Sequence, residues 1–288
     1  MRPRWKKVVR DLWGHRARTF LVILSILVGV TALGIIGATY VIIARDLPSG
    51  YNAAAPMSAR LMTDPFDDDM VRVLRNLSGV DEVEGRRTLT ARLKVTTPGG
   101  EVQWRDINLF AIPDYEGIKI NKIAPEQGAF PPAEREILIE RAALALTGAE
   151  IGDTITIRMP NETERELPIT GTVHDTTRSS AVFTNQVYGY ISFDTLEWLG
   201  APESYNELLF TVKHDALNRD HVLEVARDVR YKVEKSGRAV YYSEVPTPGK
   251  HPFERFLTPM AAILTFLGLL TMILSAFLVV NTISALLA

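Results

Sequence analysis

The chain has 288 residues, a formal net charge of −2 and no cysteine. Disulfides and thiolate metal sites are therefore excluded, and the charge gives no reason to expect nucleic-acid binding. The hydrophobic fraction of 47% is ordinary for a globular protein, but the apolar residues are unevenly distributed. Two charge-free apolar runs, at residues 20–44 and 256–288, bracket about 200 residues of soluble composition.

Each apolar run is long enough to cross a bilayer, whose hydrocarbon core of about 30 Å needs roughly 20 helical residues. We expect transmembrane helices at residues 19–45 and 256–288. The first run exceeds the apolar segment of a cleaved signal peptide and has no small-x-small cleavage motif, so a retained anchor is expected. The second run reaches Ala288 without a polar flank, and we expect the natural protein to continue into further spans.

The charges that flank the first run predict its orientation. Arg45 and Asp46 follow the run and cancel each other. Before it, seven basic residues outweigh Asp11: Arg2, Arg4, Lys6, Lys7, Arg10, Arg16 and Arg18. Positive charge accumulates on cytoplasmic flanks, so we expect a cytoplasmic N-terminus, an extracytoplasmic domain at residues 46–252 and a multi-pass protein of the cell membrane.

Residues 1–18 have the pattern of an amphipathic helix that lies in the membrane interface. Their apolar residues recur at helical spacing: Trp5, Val8, Val9, Leu12 and Trp13. The alternative is a simple basic flank that only fixes topology.

Small and polar residues inside the two runs are candidates for helix packing. Ser25 and Gly29, and again Gly34 and Ala38, are four residues apart, a spacing that allows close helix approach in lipid. Asn281 in the second run can hydrogen-bond a neighbouring helix. Glycine is common in membrane spans, so the alternative is that these residues are merely tolerated.

The middle of the chain opens and closes with β-α-β patterns. Residues 58–62 read as a strand, and 64–77 as a helix with Asp64 as its cap and Pro65 in its first turn. The remaining elements are strands 80–97 and 101–111, strand 207–213, helix 218–235 and strand 238–242. A ferredoxin-like split βαβ fold would join residues 57–111 to 206–245.

Residues 112–205 differ in character, with many glycines, prolines and threonines. They predict a small β-rich insertion with strands at 136–139, 154–159, 166–173 and 186–192 and a helix at 141–146. The expected fold class is an α+β membrane protein: two transmembrane helices flank an extracytoplasmic domain made of a ferredoxin-like split βαβ part and an inserted small β-rich part.

No catalytic, cofactor or metal site is predicted in this chain. The only Gly-Lys pair, at residues 249–250, precedes His251 and lacks the spacing of a phosphate-binding loop. Asp67, Asp68 and Asp69 fit a helix cap better than a cation site, because successive helical residues point in different directions. His174 and Asp175 could form an acid–base pair, but we interpret them as a turn at a strand end.

A series of short motifs resembles the MacB/FtsX-type ABC transporter permeases. In order they are GAFP from Gly128, EILI from Glu136, AALAL from Ala142, IGDTITI from Ile151 and LPITGTVHD from Leu167. The N-terminal KVVRDLW segment and ILSAFLVVNTI in the second run are similar to the family's entry helix and its first helix after the extracytoplasmic domain. The resemblance covers essentially the whole chain.

The resemblance implies a permease subunit that acts as a dimer, with a second copy or a homologue, beside a separate cytoplasmic ATPase. ATP and Mg would then bind the partner, with no cofactor in this chain, and motion would pass through the spans to the extracytoplasmic domain. It also leaves room for an extracytoplasmic adaptor or cargo. Two alternatives stay open: a two-span sensor or ligand-binding protein, and a membrane-anchored hydrolase.

Overall fold

The computed structural model describes residues 16–96 and 100–287. The chain divides into two compact units, a helical unit formed by the terminal segments and a middle unit, Pro48–Pro252. The expected boundary at residue 46 lies two residues before this division. The segment 1–18 with its predicted interfacial helix falls almost entirely outside the described residues.

The helical unit contains two long helices, α1 (Arg16–Ala53) and α7 (Glu254–Leu287). By length and composition, Leu27–Ala53 and Pro259–Phe277 could each cross a membrane. The first helix is longer than expected: it continues past residue 45 and includes Pro48. The two helices run antiparallel, because Gly29 lies against Thr271 and Gly268 against Leu33.

The first elements of the middle unit form an antiparallel sheet with two helices. They are β1 (Ala59–Phe66), α2 (Asp68–Arg75), β2 (Val80–Thr96), β9 (Tyr205–Val212), α6 (Arg219–Lys235) and β10 (Val240–Glu244). The strand order is β10-β1-β9-β2, and all neighbours are antiparallel. Both helices pack on one face in a single apolar cluster that includes Leu74, Phe210 and Val229. We call this part the sheet half.

The remaining strands form a second body, which we call the barrel. Its elements are β3 (Val102–Ile112), β4 (Ala124–Gly128), β5 (Ile137–Glu140), α3 (Arg141–Thr147), β6 (Thr154–Arg158), β7 (Glu164–His174), α4 (Ala181–Thr184), β8 (Val187–Ser192) and α5 (Phe193–Trp198). Strands β2, β3, β8, β5, β7 and β6 pair in that order, and β6 pairs with β2 to close the ring.

The barrel interior is filled by aliphatic side chains such as Leu93, Leu109, Ile137 and Ile157, all fully buried. A ring of six strands leaves little internal space. Gly189 of β8 fits this space because a Cβ atom there would lie 2.7 Å from Ile137 Cδ1 and 3.0 Å from Leu109 Cδ2. The interior is therefore a packed core.

Strand β2 belongs to both bodies, and this corrects the expected division of the domain. Residues 80–86 pair with β9 of the sheet half, whereas residues 87–96 pair with β3. Strand β3, which had been assigned to the 57–111 segment of the βαβ part, pairs with β8 and lines the barrel instead. The β-rich body therefore begins near Arg87 and not at residue 112.

The predicted start of the helix at residues 64–77 was also wrong. Asp64 and Pro65 belong to β1, and Asp64 accepts a hydrogen bond from Ala239 N at 2.7 Å. The helix begins at Asp68, with Asp67 Oδ1 accepting from Met70 N at 3.3 Å. Pairing of β1 with its neighbours extends to Phe66, so the strand displaces the first turn of the expected helix.

Candidate functional site

A group of buried polar residues joins the two halves of the middle unit, and we call it the junction network. It comprises Arg60, Arg86, Thr88, Asp175, Arg178, Tyr190, Glu207 and Glu244. Its centre is Glu207, a glutamate with no solvent exposure in an otherwise apolar stretch of β9. Buried charges in folded proteins are normally paired, so the surroundings of Glu207 define the site.

From the sheet half, Glu207 receives two strong contacts. Arg60 Nη1 of β1 lies 3.1 Å from Glu207 Oε1, and the Thr88 hydroxyl of β2 donates to Glu207 Oε2 at 2.7 Å. Arg60 also places Nη2 at 2.5 Å from Glu244 Oε2 at the end of β10. The network therefore ties all four strands of the sheet half together.

From the barrel, the loop after β7 brings Arg178 against the same carboxylate. Arg178 Nη2 is 3.9 Å from Glu207 Oε1, and Arg178 Nε is 3.3 Å from Asp175 Oδ2. The Tyr190 hydroxyl of β8 donates to Asp175 Oδ2 at 2.8 Å. The guanidinium of Arg178 lies 3.7 Å from the ring centroid of Phe110, a cation–π contact. Arg178 thus bridges a carboxylate of each half.

These contacts fix the ionisation of the network. Burial alone would raise the pKa of Glu207, but Arg178, Arg60 and the Thr88 hydroxyl outweigh burial and lower it. Burial would lower the pKa of Arg178, and Glu207 and Asp175 instead raise it. Burial, then Asp175, raises the pKa of the Tyr190 hydroxyl well above its usual value. At neutral pH Glu207 is therefore ionised beside a charged Arg178, and the Tyr190 hydroxyl is neutral.

Arg86 extends the network towards the end of α1. It is 1% exposed and donates through Nη2 to the carbonyl oxygens of Ile120 at 2.5 Å and Asn121 at 3.3 Å. Asn121 in turn accepts from Met57 N at 2.8 Å, and its own N–H donates to Ala55 O at 2.9 Å. The segment that follows α1 is therefore pinned to a loop held by Arg86.

The other end of the middle unit is tied to the loop of Asp175 and Arg178. His251, three residues before α7 begins, places Nε2 at 2.8 Å from Thr176 O. The Tyr51 ring near the end of α1 meets the His251 ring edge-on, with centroids 5.2 Å apart. Both chain ends of the middle unit therefore contact loops that carry junction residues.

The junction network links the two halves of the middle unit through paired charges. Separating Arg178 from Glu207 would remove one partner from each of two buried charges, although Arg60 and Asp175 would still contact them; breaking a buried ion pair costs about 3–5 kcal/mol in measured cases. Among residues 16–96 and 100–287, no group of three or more His, Asp or Glu side chains could hold a metal ion. A small displacement at residue 51 or 251 has a short route to Arg178 through Thr176.

The predicted helix-packing residues have different surroundings within the helical unit. A Cβ at Gly29 would lie 3.8 Å from Thr271, so this glycine faces α7. Gly34, Ala38 and Asn281 are exposed, with open space around Gly34. The side chain of Ser25 is outside the described part of the chain. Packing at these four positions stays a prediction.

The predicted interfacial helix lies outside the described residues. Within them, the sequence analysis missed a close helix contact and the junction network. Trp5, Val8, Val9, Leu12 and Trp13 all fall in the undescribed N-terminal segment. Sequence reasoning missed Gly268, where a Cβ would collide with the Leu33 side chain. It also treated His174 and Asp175 as a turn and overlooked the network. The available signal was Glu207, an acidic residue that directly precedes the apolar residues Leu208, Leu209 and Phe210 of β9.

A cleft of about 150 Å³, open to solvent, lies beside the network in the middle unit. Charged side chains of both signs line it: Asp68, Arg75, Glu84, Arg86 and Asp114. The Tyr205 hydroxyl donates to Asp68 Oδ1 at 2.8 Å on one wall.

Comparison with known proteins gives a likeness of fold. No family model and no curated protein matches the sequence. The extracellular domain of the noncanonic ABC-type transporter YknZ from Gram-positive bacteria is similar, with a TM-score of 0.41, 12% identity and coverage of 65% of this chain and 99% of that one. The periplasmic region of MacB from Actinobacillus actinomycetemcomitans also has a TM-score of 0.41, with 10% identity, 69% of this chain and 92% of that one covered. A likeness of this size carries no argument about function.

Proposed function

We propose that this chain is a membrane subunit of an ABC-type transporter, a permease that couples a separate cytoplasmic ATPase to movement of its extracytoplasmic domain. The observation that carries the proposal is the ordered series of motifs from Gly128 to Asp175, bracketed by two helices long enough to span a bilayer. ATP hydrolysis belongs to the partner in this proposal, and the permease acts as a dimer.

The architecture of the middle unit supports the coupling role. Its two halves share strand β2, and the ion pairs of the junction network connect the two halves at a second place. Both chain ends that lead to the apolar helices contact the loop of Thr176, through Gly50 and through His251. A movement of α1 relative to α7 would therefore reach Arg178 through this loop.

Gentle extraction of the full-length protein from its native membrane, followed by affinity capture and mass spectrometry, tests the proposal. We expect a stoichiometric ABC-class ATPase in the captured complex. An unrelated membrane protein captured in the same way is the control. Capture of other intact membrane complexes without any such ATPase would contradict the proposal.

Hydrogen exchange of the captured complex tests the coupling role separately. We expect trapping of the ATPase with ADP and vanadate to change protection of residues 175–180. Replacement of Arg178 by Met should abolish this change, whereas Arg92→Ala on the exposed barrel surface should leave it intact. An unchanged loop in a complex that hydrolyses ATP would refute transmission through the junction.

The charged, solvent-open cleft beside Arg86 is the observation behind a second candidate, a two-span sensor that binds a small polar ligand. A sensor would carry a cytoplasmic signalling domain instead of partnering an ATPase. The same capture experiment separates the two functions, because a signalling partner in place of the ATPase would favour the sensor.

A further inference from the structure

The carboxyl ends of the parallel strands β5 and β7 bring together two titratable side chains that the junction network does not include. Glu140 is the last residue of β5, and His174 is the last residue of β7. His174 Nδ1 lies 3.6 Å from Glu140 Oε1. Glu140 is 5% exposed, and its Oε2 accepts a hydrogen bond from Ala142 N at 2.8 Å. Because this carboxylate is buried, the groups around it decide how the pair ionises.

Arg141 decides which nitrogen of His174 carries a proton. Arg141 Nη2 lies 3.2 Å from His174 Nε2, and Arg141 Nη1 lies 3.0 Å from Glu126 Oε1 of β4. A guanidinium group only donates hydrogen bonds, so Nε2 is the acceptor in this contact. A neutral imidazole has one proton, which then lies on Nδ1 and faces Glu140. A second proton, on Nε2, would point at Arg141 and place two like charges side by side.

Few other charges lie on the elements packed around the pair. Ala124 of β4 stands opposite His174, and helix α4, which packs against α3, has no titratable side chain. Tyr190 of β8 is near enough for the charge of Glu140 to contribute to the raised pKa of the tyrosine. The ionisable groups that the described residues place around the pair are Arg141, Glu126, Tyr190, Asp175 and Arg178.

A charge on His174 would relieve the burial of Glu140. Burial raises the pKa of Glu140, and the hydrogen bond from Ala142 N and the nearby His174 offset this effect only in part. A protonated imidazole would favour the ionised carboxylate by direct attraction. The same proton would disfavour the contact with Arg141, so the ring has one partner in its neutral form and the other in its charged form.

His174 directly precedes the loop that carries Asp175 and Arg178. Asp175 Oδ1 accepts from Thr177 N at 2.9 Å, and Asp175 Oδ2 accepts from the Tyr190 hydroxyl at 2.8 Å. Arg178 Nε lies 3.3 Å from Asp175 Oδ2. Since His174 and Asp175 share a peptide bond, a shift of the His174 ring and its backbone reaches these contacts at once.

We propose that His174 and Glu140 make the junction network sensitive to pH: when His174 takes up a proton at Nε2, its contact with Arg141 breaks and the loop of Asp175 and Arg178 loosens. The proton comes from solvent, to which the His174 side chain is 35% exposed, and Arg141 keeps its ion pair with Glu126. Histidine ordinarily changes charge between about pH 5 and 8. This response belongs to the middle unit and does not depend on the proposed function; in a permease it would make coupling weaker in acid.

Nuclear magnetic resonance of the full chain in lipid nanodiscs, with isotopically labelled histidine, tests the protonation step. The chain has five histidines, and His174→Gln identifies the resonances of His174. His214, an exposed histidine after β9, is the reference. At about pH 8 we expect the nitrogen shifts of His174 to show a proton on Nδ1, and a second proton to appear on Nε2 as the pH falls towards about 5. A proton on Nε2 at the higher pH would overturn the proposal.

Two variants should move the titration midpoint of His174 in opposite directions. Arg141→Met removes a neighbouring positive charge and should raise the midpoint by about half a pH unit or more, whereas Glu140→Gln removes a negative charge and should lower it by about as much. Arg92→Met, on the exposed surface of β2, is the matched control and should leave it unchanged. Equal midpoints in all of these proteins would overturn the proposal.

Hydrogen exchange tests the link from His174 to the loop. After correction for the pH dependence of intrinsic exchange, protection of the Thr177 amide should fall at least about threefold when the pH falls from about 7.5 to about 5.5. His174→Gln cannot take up the proton and should not show this fall. Unchanged protection in the wild-type chain, or the same fall in His174→Gln, would overturn the link. Capture of the ATPase partner is scored separately, so failure of either inference can be told from failure of the other.

Discussion

Ile137 and Leu109 fill the barrel with apolar contacts, while Arg178 and Glu207 carry full charges in a junction that is almost as deeply buried. In the barrel, stability comes from removing hydrocarbon from water and from close packing. In the junction, attraction between the charges mainly offsets the cost of desolvating them. Substitutions that change side-chain volume in the barrel should therefore lower the free energy of unfolding. In the junction, removal of one charged partner should lower it even when the side-chain volume is kept.

A large effect is expected from Arg178→Met, which keeps most of the side-chain volume but removes the charge. Glu207 and Asp175 then lose the cation that bridges them, although Arg60 and Thr88 still contact Glu207. We expect a loss of about 3 kcal/mol in the free energy of unfolding. Urea denaturation of the full chain in detergent measures it through tryptophan fluorescence, to which Trp104 and Trp198 of the barrel contribute.

The double variant Arg178→Met with Glu207→Gln sharpens this result. Removing both charges leaves less uncompensated charge than removing one, so the double loss should be smaller than the sum of the two single losses. Strictly additive losses would mean that Arg178 and Glu207 do not interact and that the junction is held by packing alone.

A loss of the same order is expected when the barrel loses volume. Ile137 is fully buried beside Gly189, and Ile137→Ala should cost about 2–5 kcal/mol by leaving a cavity. Ile137→Val removes a single methyl group and should cost about 0.5–1.5 kcal/mol. The same denaturation assay measures both. Equal losses for Val and Ala would contradict close packing of the interior.

These two regions also differ in how far the sequence predicts them. Alternation of apolar residues located β2, β5, β6, β7 and β8 within a few residues, because one buried face gives a strand a clear period. Ring closure depends on the pairing of β6 with β2, between residues far apart in the chain, and no local pattern encodes it. The hairpin of β2 and β3 was predicted, but its membership in the barrel was not, because one strand serves two sheets.

The junction network was harder to predict from the sequence than the barrel strands were. Arg60, Asp175, Arg178 and Glu207 come from three separate segments, and each is an ordinary charged residue in its local context. Only the fold brings them together. The helix start at Asp68 shows a related limit: Asp64 and Pro65 form a good local start signal, but pairing of β1 with β9 and β10 overrides it.

The pH dependence of stability offers a moderate effect that differs in sign between two buried carboxylates. The pKa of Glu207 is lowered in the folded protein, so its contribution to stability is present above the unfolded pKa of about 4.3 and is lost as pH falls through the folded pKa. Glu140, at the end of β5, has a pKa raised by burial. Its ionised form is therefore penalised in the fold at neutral pH, and the penalty disappears as pH falls below the unfolded pKa.

Denaturation midpoints from neutral to acidic pH distinguish these two carboxylates. Glu140→Gln should raise the denaturation midpoint at pH 7 more than it does at acidic pH. The substitution removes a charge that burial penalises and keeps an acceptor for Ala142 N. Glu207→Gln should lower the midpoint at pH 7 and lose this effect in acid. Parallel behaviour of the two variants would show that Glu207 is not stabilised by its guanidinium partners.

The smallest effect is expected from an ion pair that lies outside both cores. Arg92 and Asp106 stand directly opposite each other on β2 and β3, with Nε 3.3 Å from Oδ1, but their side chains are 56% and 68% exposed. Solvent and salt screen such a pair, so a double-mutant cycle with Arg92→Ala and Asp106→Ala should give a coupling of about 0.2–1 kcal/mol that shrinks in high salt. A cycle on Arg178 and Glu207 should give a larger coupling that salt leaves nearly unchanged, because their charges are shielded from mobile ions. If both cycles gave the same small coupling energy, burial would not strengthen the interaction between Arg178 and Glu207. A displacement at residue 251 would then have no strong ion pair at Arg178 to disturb.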